Sequence, residues 1–259
     1  VRCALCPHGC LLHPGAIGRC QARKNENGVL VSLNYGWITA LALDPIEKKP
    51  LKRFSPGSRI LSAGSFGCNF RCAFCQNWQI SQYAASARAF LPDALVKAAL
   101  DARAQGNIGL AYTYNEPSIW YEQVYESAVL AHQNGLKNVL ITNGYINPEP
   151  MARLLPYIDA MNIDLKSMRP EFYHNLCGGK LAHVQETLEL CVPSCHVEVT
   201  CLLIPDQNDT EPEIRSLAAY LASLSPDLPL HLTRYHPDYR MDTPSLPVKR
   251  VFALADIAQ

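Results

Sequence analysis

Three cysteines lie close together in one short segment of the sequence, at Cys68, Cys72 and Cys75. Their thiolates can ligate three irons of a single [4Fe-4S] cubane, which leaves the fourth iron without a protein ligand. An open coordination position separates a catalytic metal centre from a closed structural one. Buried free thiols, or a zinc site completed by a distant ligand, fit less well with such tight spacing in a loop opened by Gly64 and Gly67. The segment therefore predicts a reactive iron-sulfur centre.

A second group of cysteines lies near the N-terminus, in the pattern Cys3-x2-Cys6-x3-Cys10-x9-Cys20 with His8 between them. Four thiolates can hold one zinc ion tetrahedrally and stabilise a segment that has little core of its own. The same four ligands can hold a second [4Fe-4S] cluster. Because Cys-x2-Cys openings occur in both kinds of site, zinc and a second cluster both stay open, with unliganded thiols as the third alternative.

The remaining cysteines are scattered through apolar runs, where a free cysteine acts as a small buried hydrophobe. They are Cys177, Cys191, Cys195 and Cys201. The total of eleven in 259 residues is odd and does not look like the disulfide framework of a small secreted domain. No apolar run approaches the roughly 18 residues that a membrane span needs, and the N-terminus lacks the layout of a signal peptide. We therefore expect a cytoplasmic protein.

The charge balance argues against two classes of partner. The chain has 23 basic and 23 acidic residues and a formal net charge of zero. Binding to a phosphate backbone or to an anionic membrane surface is typical of strongly basic chains or patches. We therefore expect neither nucleic acid nor membrane as a partner.

The elements that would position these residues alternate from residue 60 onward, as short β-rich runs and amphipathic helical patterns. The predicted strands are Ile60–Ser65, Ile108–Thr113, Asn138–Thr142, Ala160–Leu165, His196–Leu203 and Leu230–Tyr235. The clearest predicted helices are Asp93–Gln105, Ser118–Gln133 and Glu213–Leu224. Prolines at 92, 117 and 212 stand where first-turn prolines belong. Six such units predict an α/β fold with a partial (βα)6 TIM-like barrel.

Residues 1–58 lack the alternation of strands and helices that is predicted for the rest of the chain. They combine four cysteines, turn glycines and a Lys/Pro-rich stretch at residues 44–50, without a sustained helical period. We predict a Cys-rich N-terminal extension with a metal site over residues 1–58, packed beside a barrel core over residues 59–259.

Polar segments follow the predicted strands one after another. In a barrel, the carboxyl ends of the strands meet at a single rim, where active sites lie. After the cysteine segment, these stretches are Tyr114-Asn115-Glu116-Pro117, Asn143-Gly144-Tyr145, Asp164 with Lys166, residues 204–209 and residues 235–239. The sequence therefore predicts a single site assembled at the rim from all six units.

Four residues on this rim are candidates on pattern alone. Asp164 and Lys166 are two residues apart on an otherwise apolar strand and so point to the same face, either as catalytic and cofactor-binding groups or as a structural ion pair. Glu198 alternates with valines and could also face inward to the cofactor, although an exposed strand position would give the same pattern. His236 follows the last strand and could contact the substrate or the cofactor, although a loop histidine is more often a surface residue.

The cysteine pattern, read as Cys-x3-Cys-x-aromatic-Cys with Phe74 in the aromatic position, resembles the signature of the radical S-adenosylmethionine (SAM) superfamily. The sequence looks like the branch that contains the pyruvate formate-lyase activating enzymes. It is more similar still to the radical SAM member of the AmmeMemoRadiSam system, at Asp44–Leu51, Gly67–Asn69, Cys75–Trp78 and Tyr114–Pro117. The similarity covers nearly the whole chain.

This resemblance implies an enzyme, with an oxidoreductase-type reaction. Cys68, Cys72 and Cys75 would hold the [4Fe-4S] cluster, whose electron cleaves SAM to methionine and a 5'-deoxyadenosyl radical. The radical would abstract hydrogen from an unidentified substrate, which can be a protein. The electron would come from a low-potential donor, a ferredoxin or flavodoxin.

The resemblance also implies residues that bind the cofactor, including Phe74. Glu116, with Tyr114 and Asn115, stands where the family has a Gly-Gly-Glu segment that binds the SAM ammonium, although an acid at a helix N-terminus is an alternative interpretation. Asn143 resembles the family's Thr-Asn-Gly segment near the SAM methionine or ribose, although Asn-Gly is also an ordinary turn signal.

Other functions stay open. A glycyl-radical-enzyme activase would take hydrogen from a glycine of a partner protein and would need a rim open to a peptide loop. A non-catalytic iron-sulfur carrier or metal-stapled binding protein would not need Glu116, Asn143, Asp164 and Lys166 at one rim. An ordinary SAM methyltransferase is disfavoured, because no glycine-rich loop opens a doubly wound sheet here.

Overall fold

The computed structural model describes residues 1–83 and 85–259. Its strands are β1 (Arg23–Glu26), β2 (Val29–Ser32), β3 (Trp37–Ile38), β4 (Ala40–Pro45), β5 (Arg59–Gly64), β6 (Arg88–Ala89), β7 (Asn107–Tyr112), β8 (Lys137–Thr142), β9 (Ala160–Asp164), β10 (His196–Leu203) and β11 (Leu230–Arg234). Its α-helices are α1 (Trp78–Ser81), α2 (Pro92–Asp101), α3 (Tyr121–Gln133), α4 (Pro148–Leu154), α5 (Pro170–Phe172), α6 (Leu181–Cys191), α7 (Glu211–Leu224) and α8 (Val248–Ile257).

Seven of the strands form one curled sheet in the order β11-β10-β9-β8-β7-β5-β4. The six strands from β5 to β11 in this sheet are parallel, and helices connect them. The edge strand β4 is antiparallel to β5. Because β4 and β11 form the two edges, the sheet makes a half barrel. The predicted partial (βα)6 barrel is therefore confirmed.

The predicted strands agree with the observed ones to within one residue at either end. The predicted helix at 93–105 is α2 followed by a 3-10 turn at Ala102–Gln105, and the one at 118–133 is a 3-10 turn at Pro117–Trp120 followed by α3. Proline is the first residue of α2 and of α4, where its missing N–H and fixed φ are no disadvantage.

A segment at residues 46–54, here called the floor segment, closes the half barrel beneath the N-terminal ends of its strands. Ile46 and Leu51 are fully buried. They pack against Ile60, Ala111, Val139 and Ala160 from four successive barrel strands. Burying one such side chain contributes roughly 1.5–3 kcal/mol, so the floor segment is firmly attached to the barrel.

The N-terminal part is tied to the barrel by polar contacts. The hairpin β1–β2 carries Arg23, which is buried and bonds both carboxylate oxygens of Glu122 on α3 at 2.6 Å. Strand β4 lies in the barrel sheet itself. The predicted boundary at residue 58 would separate β4 from the sheet to which it belongs, and the floor segment from the strands on which it packs. As a domain boundary it remains a prediction. Within the described residues, no helix combines the length and apolarity that crossing a membrane requires.

Candidate active site

A cavity of about 470 Å³ lies at the carboxyl ends of the barrel strands. Ten of the residues predicted for the site line it: Cys68, Cys72, Phe74, Cys75, Tyr114, Asn115, Glu116, Asn143, Asp164 and Lys166. They come from the loops and ends of β5, β7, β8 and β9, which the parallel sheet brings to one rim. The structure therefore assembles most of the predicted residues around one space.

The loop that carries the three cysteines is held by its neighbours. Gly67 has φ +87°, and a Cβ there would collide with the carbonyl of Cys20, so this position requires glycine. Asn115 Oδ1 accepts the N–H of Ser65 at 2.9 Å, and its Nδ2 donates to the Gly67 carbonyl at 3.1 Å. The segment between β5 and Cys68 is therefore fixed by a side chain from the end of β7.

The three thiols fit a [4Fe-4S] cluster. Cys68 Sγ accepts a hydrogen bond from the Phe70 N–H at 3.3 Å and one from Asn143 Nδ2 at 3.7 Å. Such N–H···S contacts tune the potential of a ligated cluster. Among residues 1–83 and 85–259, no three Cys, His, Asp or Glu side chains converge as ligands of a single ion. The three thiols lie in one loop and line one cavity, which fits a cluster that binds each cysteine through a separate iron.

The electrostatic surroundings of the thiols differ. Burial raises the pKa of Cys68 and of Cys75, and the charge of Glu116 adds to the effect on Cys68. A hydrogen bond with Cys177 and the charge of Lys166 lower the pKa of Cys72 despite burial. Iron binding must displace the proton of each thiol, because only thiolates ligate.

Glu116 is almost fully buried, with 2% of its surface exposed. Its Oε1 accepts the N–H of Ser118 at 2.9 Å and the hydroxyl of Thr142 at 2.7 Å, and its Oε2 accepts the N–H of Asn143 at 2.8 Å. Burial raises the pKa of this carboxyl, while these donors act in the opposite direction. The bond to Ser118 caps the 3-10 turn, so Glu116 both caps a helix start and forms part of the cavity wall.

Asn143 joins a turn to the cysteine loop. Its Oδ1 accepts the N–H of Tyr145 at 2.9 Å, as in an Asx turn. Its Nδ2 donates to Asn69 Oδ1 at 2.9 Å as well as reaching Cys68 Sγ. Asn69 in turn donates from Nδ2 to the Tyr145 carbonyl at 2.6 Å. Asn143 is therefore a turn residue through its contact with Tyr145, and its contact with Cys68 also supports its interpretation as a site residue.

Asp164 and Lys166 form an ion pair of 2.6 Å inside the cavity. Burial alone lowers the pKa of Lys166, but the charge of Asp164, with smaller effects of Cys72 and Cys177, outweighs it and raises that pKa above its usual range. The ammonium is thus held charged beside the cysteine loop. The sequence left open whether Asp164 and Lys166 are site residues or a structural ion pair. The structure agrees with both, because the ion pair lines the cavity.

Several cavity residues were not singled out from the sequence. Lys48 and Lys49 line it and both bond Asp44, at 2.9 Å and 2.8 Å. The Tyr114 hydroxyl donates to the same carboxylate at 2.8 Å. Burial disfavours ionised Asp44, but these three donors hold the pKa of Asp44 well below its ordinary range. The Lys/Pro-rich stretch assigned to the extension therefore contributes to the site.

On β10 and β11, the cavity is lined by Thr200, Leu202 and Thr233. Thr200 Oγ1 is buried and has no hydrogen-bond partner within the described part of the chain. A buried hydroxyl of this kind is available to a bound molecule. The signal in the sequence was strand parity, since Thr200 and Leu202 alternate with side chains that face the helices.

Two predicted residues lie elsewhere. Glu198 is fully buried at the floor and accepts the N–H groups of Lys52 at 2.9 Å and Arg53 at 2.7 Å, with His196 at 3.0 Å and His231 at 2.6 Å completing its partners. Glu198 does face inward, on the same side as Thr200, but it lies two residues nearer the N-terminal end of β10. It is therefore not among the residues that line the cavity, where the cofactor contact was predicted.

His236 is exposed and contacts the carbonyl of Pro237 at 3.1 Å, outside the residues that line the cavity. Its position matches the surface interpretation of a loop histidine.

The other cysteines also lie outside the cavity. Cys177, Cys191 and Cys201 are fully buried in the main core, as predicted, and Cys195 is half-buried at its edge. The N-terminal group consists of Cys3, Cys6 and Cys20, all buried, and Cys10, which is half-buried.

The chain is similar to several known proteins. The family model described as the Radical SAM superfamily matches residues 64–218. An uncharacterized protein of Methanocaldococcus jannaschii is 41% identical over 264 residues, which cover 100% of this chain and 78% of that protein.

Solved structures share the fold. A domain of the pyruvate-formate lyase-activating enzyme from Bacteroides vulgatus has a TM-score of 0.51 and 22% identity, over 58% of this chain and 92% of that one. SuiB of Streptococcus suis, solved with S-adenosylmethionine bound, has a TM-score of 0.61 and 13% identity, over 74% of this chain and 44% of that one.

Proposed function

This chain belongs to the radical SAM superfamily, whose members use a [4Fe-4S] cluster with SAM, and we propose that Cys68, Cys72 and Cys75 hold that cluster for the reductive cleavage of SAM. In the site formed by these residues, a bound cluster would supply one electron for the cleavage of SAM to methionine and a 5'-deoxyadenosyl radical, and that radical would remove hydrogen from a substrate. The main support is that all three thiols line the same cavity as Glu116, Asn143, Asp164 and Lys166.

Glu116 is suited to bind the SAM ammonium. Its carboxylate is fixed by three donors and forms part of the cavity wall. A cationic ligand would compensate the burial that raises its pKa, and a charge-assisted hydrogen bond in a dry site fixes orientation strongly. Glu116 thus orients the amino acid end of SAM above the cysteine loop.

The opposite wall supplies complementary groups. The Lys166 ammonium, already paired with Asp164, offers positive charge to a carboxylate, and the Thr200 hydroxyl offers a hydrogen bond. Apolar side chains between them, Phe74, Ile141 and Leu202, keep water from the space. This combination positions SAM and protects a reactive radical.

A glycyl-radical-enzyme activase is the second candidate. The edge strands β4 and β11 leave the half barrel open on one side, which suits a peptide loop as substrate. This activity predicts a glycyl radical, visible by electron paramagnetic resonance, on a partner protein. With a small-molecule substrate, the label from a deuterated substrate appears instead in 5'-deoxyadenosine. The electron would come from a low-potential donor such as a ferredoxin or flavodoxin.

The test compares two buried cysteines. Wild type, Cys72→Ala and Cys191→Ala are reconstituted with iron and sulfide without oxygen, mixed with dithionite and SAM, and assayed for 5'-deoxyadenosine. Wild type and the Cys191→Ala control should form it, and Cys72→Ala should lose at least 100-fold in rate, about 2.7 kcal/mol in barrier. A loaded wild-type cluster that neither binds nor cleaves SAM would replace the proposal with an iron-sulfur carrier or metal-stapled binding protein.

A further inference from the structure

The four N-terminal cysteines are gathered by the backbone around them. The Cys3 N–H donates to the Cys10 carbonyl at 2.9 Å, and the Cys6 carbonyl accepts the Gly9 N–H at 3.1 Å. Cys20 meets Gly67, and His8 of the loop between Cys6 and Cys10 meets Asn69. Because Gly67 and Asn69 are two residues apart, Cys20 lies beside the loop that carries the other three cysteines.

This segment has almost no apolar core of its own. Within residues 1–36, the buried apolar side chains other than cysteine are Leu12 and Ala22. A core of two small or medium side chains cannot stabilise such a segment alone, and small units of this kind usually depend on a metal or a covalent link. A metal centre held by the four thiols would add to the contacts, such as the Arg23–Glu122 pair, that tie the segment to the barrel.

The two candidate centres need different arrangements of the thiols. Zinc would place all four sulfurs about 2.3 Å from one ion and so about 3.8 Å from each other. A cubane binds each thiolate to a different iron and holds the sulfurs further apart. In the part of the chain that the structure describes, no three potential ligands converge on a single point, and this holds for the N-terminal cysteines as it does for Cys68, Cys72 and Cys75.

We propose that Cys3, Cys6, Cys10 and Cys20 bind a second [4Fe-4S] cluster. With a thiolate on every iron, this cluster has no open position for a substrate. It can gain one electron from a low-potential donor and lose that electron again without any change of ligands. Its chemistry is therefore electron transfer.

The second site lies against the first. The Cys20 carbonyl packs on Gly67, the residue before Cys68. A ring nitrogen of His8 lies 2.8 Å from the carbonyl of Asn69, the residue after Cys68. The loops of the two cysteine groups are thus in direct contact, and an electron held by the second cluster has a short path to the first.

The test counts iron in a chain that lacks the first site. The variant Cys68→Ala/Cys72→Ala/Cys75→Ala is reconstituted without oxygen in the presence of both iron and zinc. We expect about four irons and four sulfides per chain, against about eight of each in wild type, with a paramagnetic signal after dithionite reduction. Adding Cys6→Ala and Cys20→Ala should abolish the iron, whereas adding Cys191→Ala should not.

Two results would overturn this site. The first is one zinc and no iron in the triple variant, and the second is iron that survives the loss of Cys6 and Cys20. If the five-fold variant fails to fold by circular dichroism, the iron content of wild type decides between about eight and about four. These readouts do not depend on SAM cleavage. Eight irons without cleavage would refute only the proposed function, and cleavage with four irons would refute only the second cluster.

Discussion

Replacing Glu116 by glutamine tests whether this carboxylate binds SAM or only joins β7 to β8. The change keeps the shape of the side chain and removes its charge. All three hydrogen-bond partners of Glu116 are donors, namely the Ser118 N–H, the Thr142 hydroxyl and the Asn143 N–H. A glutamine amide can turn its oxygen toward the first two, but its NH2 group then faces the Asn143 N–H.

The size of the effect follows from these contacts. One buried donor left without an acceptor costs about 1–3 kcal/mol, so the free energy of unfolding of Glu116→Gln should fall by about that amount. A lost charge-assisted bond to the SAM ammonium is worth about 1.5–3 kcal/mol. At 1.4 kcal/mol for each tenfold change, the Kd for SAM should rise about 10- to 100-fold.

Two measurements separate the roles. Urea unfolding, followed by the fluorescence of the buried Trp120, gives the stability, and anaerobic calorimetry of the reconstituted protein gives the Kd for SAM. The matched control is Glu122→Gln, which weakens a structural pair with Arg23 far from the cavity and should leave the Kd unchanged. An unchanged Kd in Glu116→Gln would refute the SAM contact, and an unchanged stability would refute the hydrogen-bond argument.

Three further changes give distinct outcomes. Burial disfavours ionised Glu198, but its four hydrogen bonds outweigh burial and lower its pKa from 4.5 to about 2. Ionised Glu198 therefore contributes about 3 kcal/mol to the free energy of unfolding. This contribution is complete above pH 4.5 and is lost as the pH falls toward 2. Glu198→Gln should therefore be less stable at pH 7 and show a flatter acid limb in urea titrations, and a parallel limb would contradict this. Asn143→Ala removes an N–H···S contact to Cys68 and should make the potential of the cluster more negative in an EPR redox titration, whereas an unchanged potential would show that the contact is not formed. Asp44→Asn leaves the buried Lys49 without its counter-charge and should destabilise the protein by about 3–5 kcal/mol in urea, so a loss below 1 kcal/mol would argue against the pairing.

Much of the barrel could be predicted from the sequence, because each strand and helix is specified by a pattern within its own segment of the chain. The alternation of apolar strands with helices that begin at proline predicted six units and the strand bounds. The rule that parallel strands share a carboxyl rim then predicted that Glu116, Asn143, Asp164 and Lys166 lie at one place. Parity on the strand gave the inward face of Glu198 in the same way.

The rest depends on contacts between distant parts of the chain. Parity gives the face of a strand but not the height along it, so it could not show that Glu198 meets Lys52 and Arg53, about 145 residues earlier. The roles of Asp44 and Lys49 were hidden for the same reason, since the Lys/Pro-rich stretch has no periodicity of its own. Only contacts with distant parts of the chain, such as that of Asp44 with Tyr114, show that such residues belong to the floor or to the cavity wall.

The floor segment has a consequence for the order in which molecules enter. Leu51 and the hydrogen bonds to Glu198 close the bottom of the half barrel, while the cysteine loop lies at the carboxyl ends of the strands. Neither SAM nor the substrate can therefore enter from below, so both must come through the carboxyl-end rim or the open side between β4 and β11. A substrate seated over the rim would cover SAM beneath it, so we expect SAM to bind first and the substrate second. Methionine and 5'-deoxyadenosine would then leave only after the product has departed.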